Sequence, residues 1–518
     1  MTRAIRLLPA FLTVGAWTLA SRLLGFGRDI MIAATLGAGP VAEAFLVAFA
    51  LPNMFRRFFA EGAFNMAFVP MFSKKVEAGD DPKSFARDAL SGLAGILFVF
   101  TLIAQLVMPW LVYAMASGFA DDDRFTLATT YGRIVFPYIL LISLAALLSG
   151  VLNALGRFAA AAAAPVLLNV VLITAMAGAQ IMGWDTGLAL SWAVPVAGIA
   201  QLALVWIAAS RAGMRLTLRR PRLTPELKRL AIIAAPAALA GGVVQINLLV
   251  GRQVASFFDG AVAWLSIADR LYQLPLGLVG VAIGVVLLPD LSRRLQAGDA
   301  AGGADAFNRA TEFTLALTMP ATAALIAIPG PLISVLFERG AFTAADSAAT
   351  AAALAIYGIG LPAFVLLKTV TPLYFAREDT RTPFKFAVVS MIINAAIAIG
   401  LALWLGYLAA ALGTVVSAWV NLWLLWRGTR SMNGAATADA RLRRTAPRIL
   451  IASIAMGTMV YAAAYPLADA LAAPGLRYIA LTFVVALGAV SYAVIAWAIG
   501  AVSPGQLRTA FKRERNNR

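Results

Sequence analysis

The chain has 518 residues, of which 61% are hydrophobic and 13% charged, with 42 Lys+Arg against 25 Asp+Glu and a formal charge of +17. Soluble globular chains carry about 45–50% apolar and about 25% charged residues, so a water-soluble fold is excluded and the bilayer is the expected solvent. Cysteine and histidine are both absent, which excludes disulfides, thiolate chemistry, the usual zinc sites and imidazole acid–base work.

A helix needs about 20 apolar residues to cross the hydrocarbon core. Apolar runs between polar or Gly/Pro breaks predict fourteen such spans. The first six lie near 8–36, 41–72, 90–117, 128–155, 163–183 and 187–210. The first run continues through Ile30 to Leu36 with no cleavage site, which predicts a retained helix and not a signal peptide. In the second, Pro52 is expected to break the helix just before Arg56 and Arg57. Six more spans follow near 229–257, 261–289, 310–336, 347–375, 383–404 and 407–427, and a last pair near 447–471 and 476–501. The predicted fold is therefore an all-α polytopic membrane protein.

The basic residues sort by side. With the N-terminus placed in the cytoplasm, 31 of the 42 fall in cytoplasmic segments, and only Arg124, Arg339 and Arg477 fall in the opposite loops. This asymmetry predicts an even number of spans with both termini cytoplasmic. Most of the positive charge thus marks topology. It does not point to nucleic acid.

The chain also repeats. GRD at 27–29, LP at 51–52 and VPMFSKK at 69–75 are matched by GRQ at 251–253, LP at 274–275 and LPDLSRR at 288–294. Later, YGRIVFP (131–137) and Arg157 are matched by YGIGLP (357–362) and Arg377. The offsets stay between 220 and 225 residues. Two six-helix lobes in parallel pseudo-repeat follow, over 1–215 and 216–430, with 431–518 supplying two further helices and a basic cytoplasmic tail. Segments 211–229 and 427–448 read as linkers. Such halves in transporters bind substrate near the midplane between them; the alternative is a duplication that only enlarges the bundle.

Eight basic residues remain inside spans: Arg22, Arg28, Arg56, Arg57, Arg133, Arg252, Arg270 and Lys368. Each costs about 2.5–3.5 kcal/mol at a helix centre unless it faces a cavity or a partner. Arg133 and Arg252 lie in the outer halves of their helices, where snorkelling suffices. Arg22, Arg28, Arg56 and Arg270 are the candidates for substrate binding. Asp29, Glu43, Arg57, Glu61 and Asp269 are candidates for charge pairing or gating, Arg57 and Glu61 being spaced i,i+4. Gly25 and Gly27 offer a bend that brings Arg22 and Arg28 toward one cavity. The guanidinium fork suits phosphate oxygens and stays protonated, so an anionic headgroup such as a diphosphate is one reading. Salt-bridged helix packing without a ligand is the other. The run Asp121, Asp122, Asp123 lacks a second acidic cluster and reads as a solvated loop. No Walker loop, GxSxG, HExxH or CxxC pattern is present.

SRLLGFGRD (21–29) and LPNMFRRFFAEGAFNMAFVP (51–70), with GFADDDRF (118–125), PVLLN (165–169), ADRLYQLPLG (268–277), LFERGAFT (336–343) and REDTRTP (377–383), resemble the signature of the lipid II flippase (MurJ/MviN) family. That family lies within the multidrug/oligosaccharidyl-lipid/polysaccharide exporter superfamily, and the resemblance spans essentially the whole chain. It implies fourteen helices, two lobes around a cationic cavity, and a lipid-tail groove formed by the last two helices. It implies translocation of lipid II, the undecaprenyl-diphosphate-linked disaccharide-pentapeptide, from the cytoplasmic to the outer leaflet of the bacterial inner membrane for peptidoglycan synthesis. Arg22, Arg28, Arg56, Glu61 and Arg270 match the family's cavity positions. Glu43 stands where the family usually has Asp, and Ala50 where a lysine is often found. Some relatives are proposed to bind sodium through carboxylates on helices seven and eleven; here those helices offer Gln245, Asn247 and Asn394 but no buried carboxylate, which argues against sodium coupling. The expected protein is a transporter working by alternating access, not an enzyme. It needs no cofactor or metal and is coupled to membrane potential or an ion, with membrane lipids and cell-wall synthases as further partners. The alternative is an exporter of another polyprenyl-linked oligosaccharide or amphiphile.

Overall fold

The computed structural model describes residues 7–56, 63–432 and 436–501. Regular structure among them is entirely helical. The chain divides into two compact units, the first comprising 1–263 with Arg339–Phe342 and the second 264–338 with 343–518.

The first unit contains α1 (Leu7–Leu36), α2 (Pro40–Arg56), α3 (Ala63–Ala78), α4 (Pro82–Leu106), α5 (Met108–Met115), α6 (Asp123–Val135), α7 (Tyr138–Ala154), α8 (Ala159–Met182), α9 (Thr186–Arg211) and α10 (Pro225–Ala255). Its core joins α8 to α1 and α9, α2 to α6, and α7 to α9. A buried polar ladder ties three of these helices: Tyr138 donates to Gln201 Oε1 at 3.0 Å, and Gln201 donates to the Ala164 carbonyl at 2.9 Å. Each link satisfies a polar group that lipid would leave without a partner.

The boundary falls inside α11 (Ala261–Gln296). The second unit continues with α12 (Ala300–Ala327), α13 (Pro329–Phe337), α14 (Ala344–Phe375), α15 (Arg381–Gly400), α16 (Ala402–Leu405), α17 (Leu408–Gly428), α18 (Ala440–Ala464), α19 (Ala468–Ala472) and α20 (Leu476–Ala498). α17 packs on α14 and α15, while α18 packs on α12 and α20. The last pair is seated by a cluster of Ile328, Val335, Met456, Val460, Leu481 and Val484.

Ten helical stretches among the described residues are long and apolar enough to cross a membrane, with α6 and α7 together forming one of them, and each overlaps one predicted span. The predicted spans at 8–36, 41–72, 229–257 and 261–289 all include residues whose side chains or backbone lie outside the described set. Local breaks follow proline chemistry unevenly. The predicted 90–117 run splits at Val107, and 310–336 splits at Ile328, each where a Pro opens the next helix. Pro137 separates α6 from α7, yet Pro362 at the matching repeat position lies within a continuous α14. Pro52 does not break α2, which runs on to Arg56. Beside it Asn53 donates to the Phe49 carbonyl at 2.7 Å.

The described parts of the segments read as linkers carry matched contacts. Arg219 donates through Nε to buried Asp88 on α4 at 2.7 Å. In the second unit Arg441 lies 3.1 Å from buried Glu312 on α12, and Arg309 pairs with both Glu312 and Asp439. Glu312 follows Asp88 by 224 residues and Arg441 follows Arg219 by 222, so the latch obeys the spacing of the internal repeat.

Candidate functional site

On α1, six residues separate two arginines with different surroundings. Arg28 is 7% exposed. Its Nε and Nη2 donate to Asp29 Oδ1 at 3.0 and 2.6 Å, and Nη1 donates to Asn169 Oδ1 of α8 at 3.0 Å. Asn169 in turn donates to the Ser21 carbonyl at 2.9 Å. The result is a pin between α1 and α8 in which one amide orients one guanidinium. Arg22 is exposed and makes no hydrogen bond or ion pair among the described residues. α1 is a single helix through Gly25 and Gly27, and it presents the two arginines unlike each other. Arg22 alone keeps a whole fork of donors available to an anion.

Glu43 enters a second cluster, at the end of the unit where α1 meets α2. Its side chain is 1% exposed; Oε2 accepts from Arg124 Nη1 at 2.9 Å and Oε1 from the Val262 amide at 3.0 Å. Arg124 also donates to Asp122 Oδ2 through Nε and Nη2, at 2.8 and 2.6 Å, lies 3.0 Å from Asp259, and stacks over Phe119. Asp122 is thus not merely solvated. The hydrogen bond from the Arg124 side chain, aided by the Arg124 backbone amide, holds its carboxyl below the usual value. The neighbouring turn is bound equally tightly. Ser117 and Gly118 donate backbone amides to Gln253 Oε1 and Ser256 Oγ at 3.1 and 3.0 Å. A Cβ on Gly118 would meet the Ser256 carbonyl carbon at 2.5 Å, so this approach requires glycine. At the same end Ala341 donates to the Ala34 carbonyl at 2.8 Å, and Gly340, at φ +57, lies where a Cβ would clash with that oxygen.

Arg270 is exposed on α11. Asp269 beside it is half-buried and accepts from Gln273 one turn on. Tyr272 packs between Tyr357 and Phe364 of α14, with ring centroids 5.0 and 5.3 Å away. These rings fix the turn of α11 that carries Arg270. Arg56 is half-buried in the last turn of α2. Arg57 and Glu61 lie outside the described residues. Arg133 and Lys368 are exposed and Arg252 is half-buried.

Arg124 is the residue that charge sorting passes over. It counts there as one of three stray basics in outer loops, yet it is 6% exposed and organises three carboxylates. The only signal for it in the sequence is its place inside the GFADDDRF motif. Among the described residues no group of three or more His, Cys, Asp or Glu is arranged to hold a metal ion.

A family model described as "Lipid II flippase MurJ" matches residues 32–471. A "Probable lipid II flippase MurJ" from Rhizobium meliloti (strain 1021) is 46% identical over 518 residues, covering 98% of this chain and 96% of its own. A "Lipid II flippase MurJ" from Burkholderia cenocepacia is 37% identical over 434 residues, covering 82% and 84%. Among solved structures, "Lipid II flippase MurJ, inward closed conformation" is similar with TM-score 0.77 at 24% identity, covering 94% of this chain and 98% of that one. An "inward-facing conformation of a multidrug resistance MATE family transporter of the MOP superfamily" is similar with TM-score 0.68 at 14% identity, covering 83% and 99%. Both structural likenesses concern the fold.

Proposed function

The chain belongs to the lipid II flippase MurJ family, and from that premise we infer that it translocates lipid II from the cytoplasmic to the outer leaflet for peptidoglycan synthesis. It is a multi-pass inner-membrane transporter. The observation that carries the reading is the family match over 32–471, joined by a 46% identical relative along nearly the whole chain.

The residue roles follow from chemistry. Arg22 and Arg270 present exposed guanidinium groups, which suit the diphosphate of the headgroup. Arg28 acts chiefly through position, because Asp29 and Asn169 take three of its five N–H donors. Glu43 pairs with Arg124 and serves as a gate residue at that end of the first unit. Arg56, Arg57 and Glu61 complete the proposed site set, with Asp269 tempering the field beside Arg270. Fourteen spans, lobes over 1–215 and 216–430, a lipid-tail groove within 431–518 and two cytoplasmic termini form the proposed architecture. The transport step is alternating access. Membrane potential, worth about 2.3 kcal/mol per elementary charge per 100 mV, resets the emptied arginine site. Cell-wall synthases are the proposed protein partners.

Depletion in living cells with a leaflet-specific assay tests this. Lipid II accumulates on the inner leaflet if the reading is right. Unchanged outer-leaflet lipid II, with no redundant flippase present, defeats it.

A further inference from the structure

The segment between α9 and α10 is more than a tether. Met214 and Leu216 are buried, and Arg219 is anchored three ways. Its Nε donates to Asp88 Oδ1 at 2.7 Å, Nη2 to Ser84 Oγ at 2.9 Å, and its backbone amide to Ser91 Oγ at 3.0 Å. Pro221 closes against α4 at Gly95, where a Cβ would come within 3.0 Å of the proline ring. Arg219 is half-buried against α4, whereas Leu218, Arg220, Pro221 and Arg222 are exposed. Leu218 is 56% exposed and Leu223 84%.

The place of this strap is specific. Immediately beyond Gly95, α4 exposes Ile96, Phe98, Val99 and Leu102. That is the face a membrane helix turns to lipid, and it begins where the strap crosses. Two leucines and two arginines are thus held at the boundary between apolar band and water. A topology marker needs only its count of basic residues. It does not need an ion pair that ties it to a helix, nor leucines exposed beside the arginines.

We propose that this strap is an anionic-phospholipid docking surface, with Arg220 and Arg222 binding headgroup phosphates while Leu218 and Leu223 enter the interface. Basic residues beside a membrane surface are drawn to acidic lipids, and apolar side chains on the same segment add burial at the headgroup–acyl boundary. Arg219 and Asp88 are positioning residues, because they set which side chains face outward. The proposal concerns the annular lipid and stands apart from the transported substrate.

Because the chain has no cysteine, a single Leu223→Cys variant carries one environment-sensitive fluorophore without background. The full-length protein is placed in nanodiscs of phosphatidylcholine alone or mixed with phosphatidylglycerol. Emission shifts to the blue and brightens in the mixture, and high salt diminishes the change. Adding Arg220→Glu and Arg222→Glu, both at exposed positions, abolishes it. Asp88→Asn reduces it even though both arginines remain. Identical emission in the two lipid compositions overturns the proposal, as does a lipid-dependent shift that survives the double charge reversal.

Discussion

The two ends of the Arg22–Glu43 stretch use the same charges for opposite purposes. From Arg28 onward every guanidinium and carboxylate described there has a protein partner: Arg28 with Asp29 and Asn169, Glu43 with Arg124 and the Val262 amide. Arg22, less than two turns earlier, is exposed and has none among the described residues. Both arginines lie in one apolar helix and both break the rule that charge is scarce there. Their surroundings separate them. A guanidinium with most of its donors taken by protein holds helices together; one with its donors facing outward is available to an anion.

The largest expected effect tests the Glu43–Arg124 cluster. Arg124→Ala leaves Glu43 buried with its charge uncompensated, and breaking a buried pair in this way costs about 3–5 kcal/mol. Thermal unfolding of the detergent-solubilised protein measures it. Unchanged stability would show that the cluster does not hold the fold. Arg28→Ala comes next. It removes hydrogen bonds to a charged group and to Asn169, and a loss of about 1.5–3 kcal/mol is expected in the same assay. Restoring the α1–α8 contact with Arg28→Lys recovers only part, since an ammonium cannot reproduce the fork. Arg22→Ala, by contrast, leaves stability within about 0.5 kcal/mol of the parent, as for other exposed positions without structural contacts. A large loss there would erase the distinction between the two arginines.

The smallest effect is a pH dependence. Asp122 has its carboxyl lowered from 3.8, first by the side-chain hydrogen bond from Arg124. Its contribution to stability is therefore fully present above the unfolded value and is lost as pH falls through the lower folded value. Asp122→Asn should be less stable than the parent near neutrality and converge with it in acid. Parallel stability curves across that range would remove Asp122 from the cluster.

Long helices were the legible part of the fold. Apolar runs of membrane length locate the ten candidate spans found among the described residues, because hydropathy alone decides whether a segment tolerates lipid. Breaks inside them were less legible. Pro52 and Pro362 sit within continuous helices, while Pro137 separates two. The same residue type gives opposite outcomes, so a proline's own neighbours in sequence do not decide the break. The site divides in the same way. Arginines out of place in apolar runs pointed to Arg22, Arg28 and Arg270. The pairing of Glu43 with Arg124 spans 81 residues and has no local signature. Arg124 looked like loop charge because burial by other helices cannot be read from its own neighbours.

The central claim is that exposed Arg22 serves the substrate and not the fold. It is tested most directly by leaflet-resolved measurement of lipid II in depleted cells complemented with Arg22→Ala at matched membrane levels. We expect inner-leaflet accumulation equal to that of depletion alone, while the purified variant unfolds at the parent temperature. Full outer-leaflet lipid II in that strain would contradict the claim.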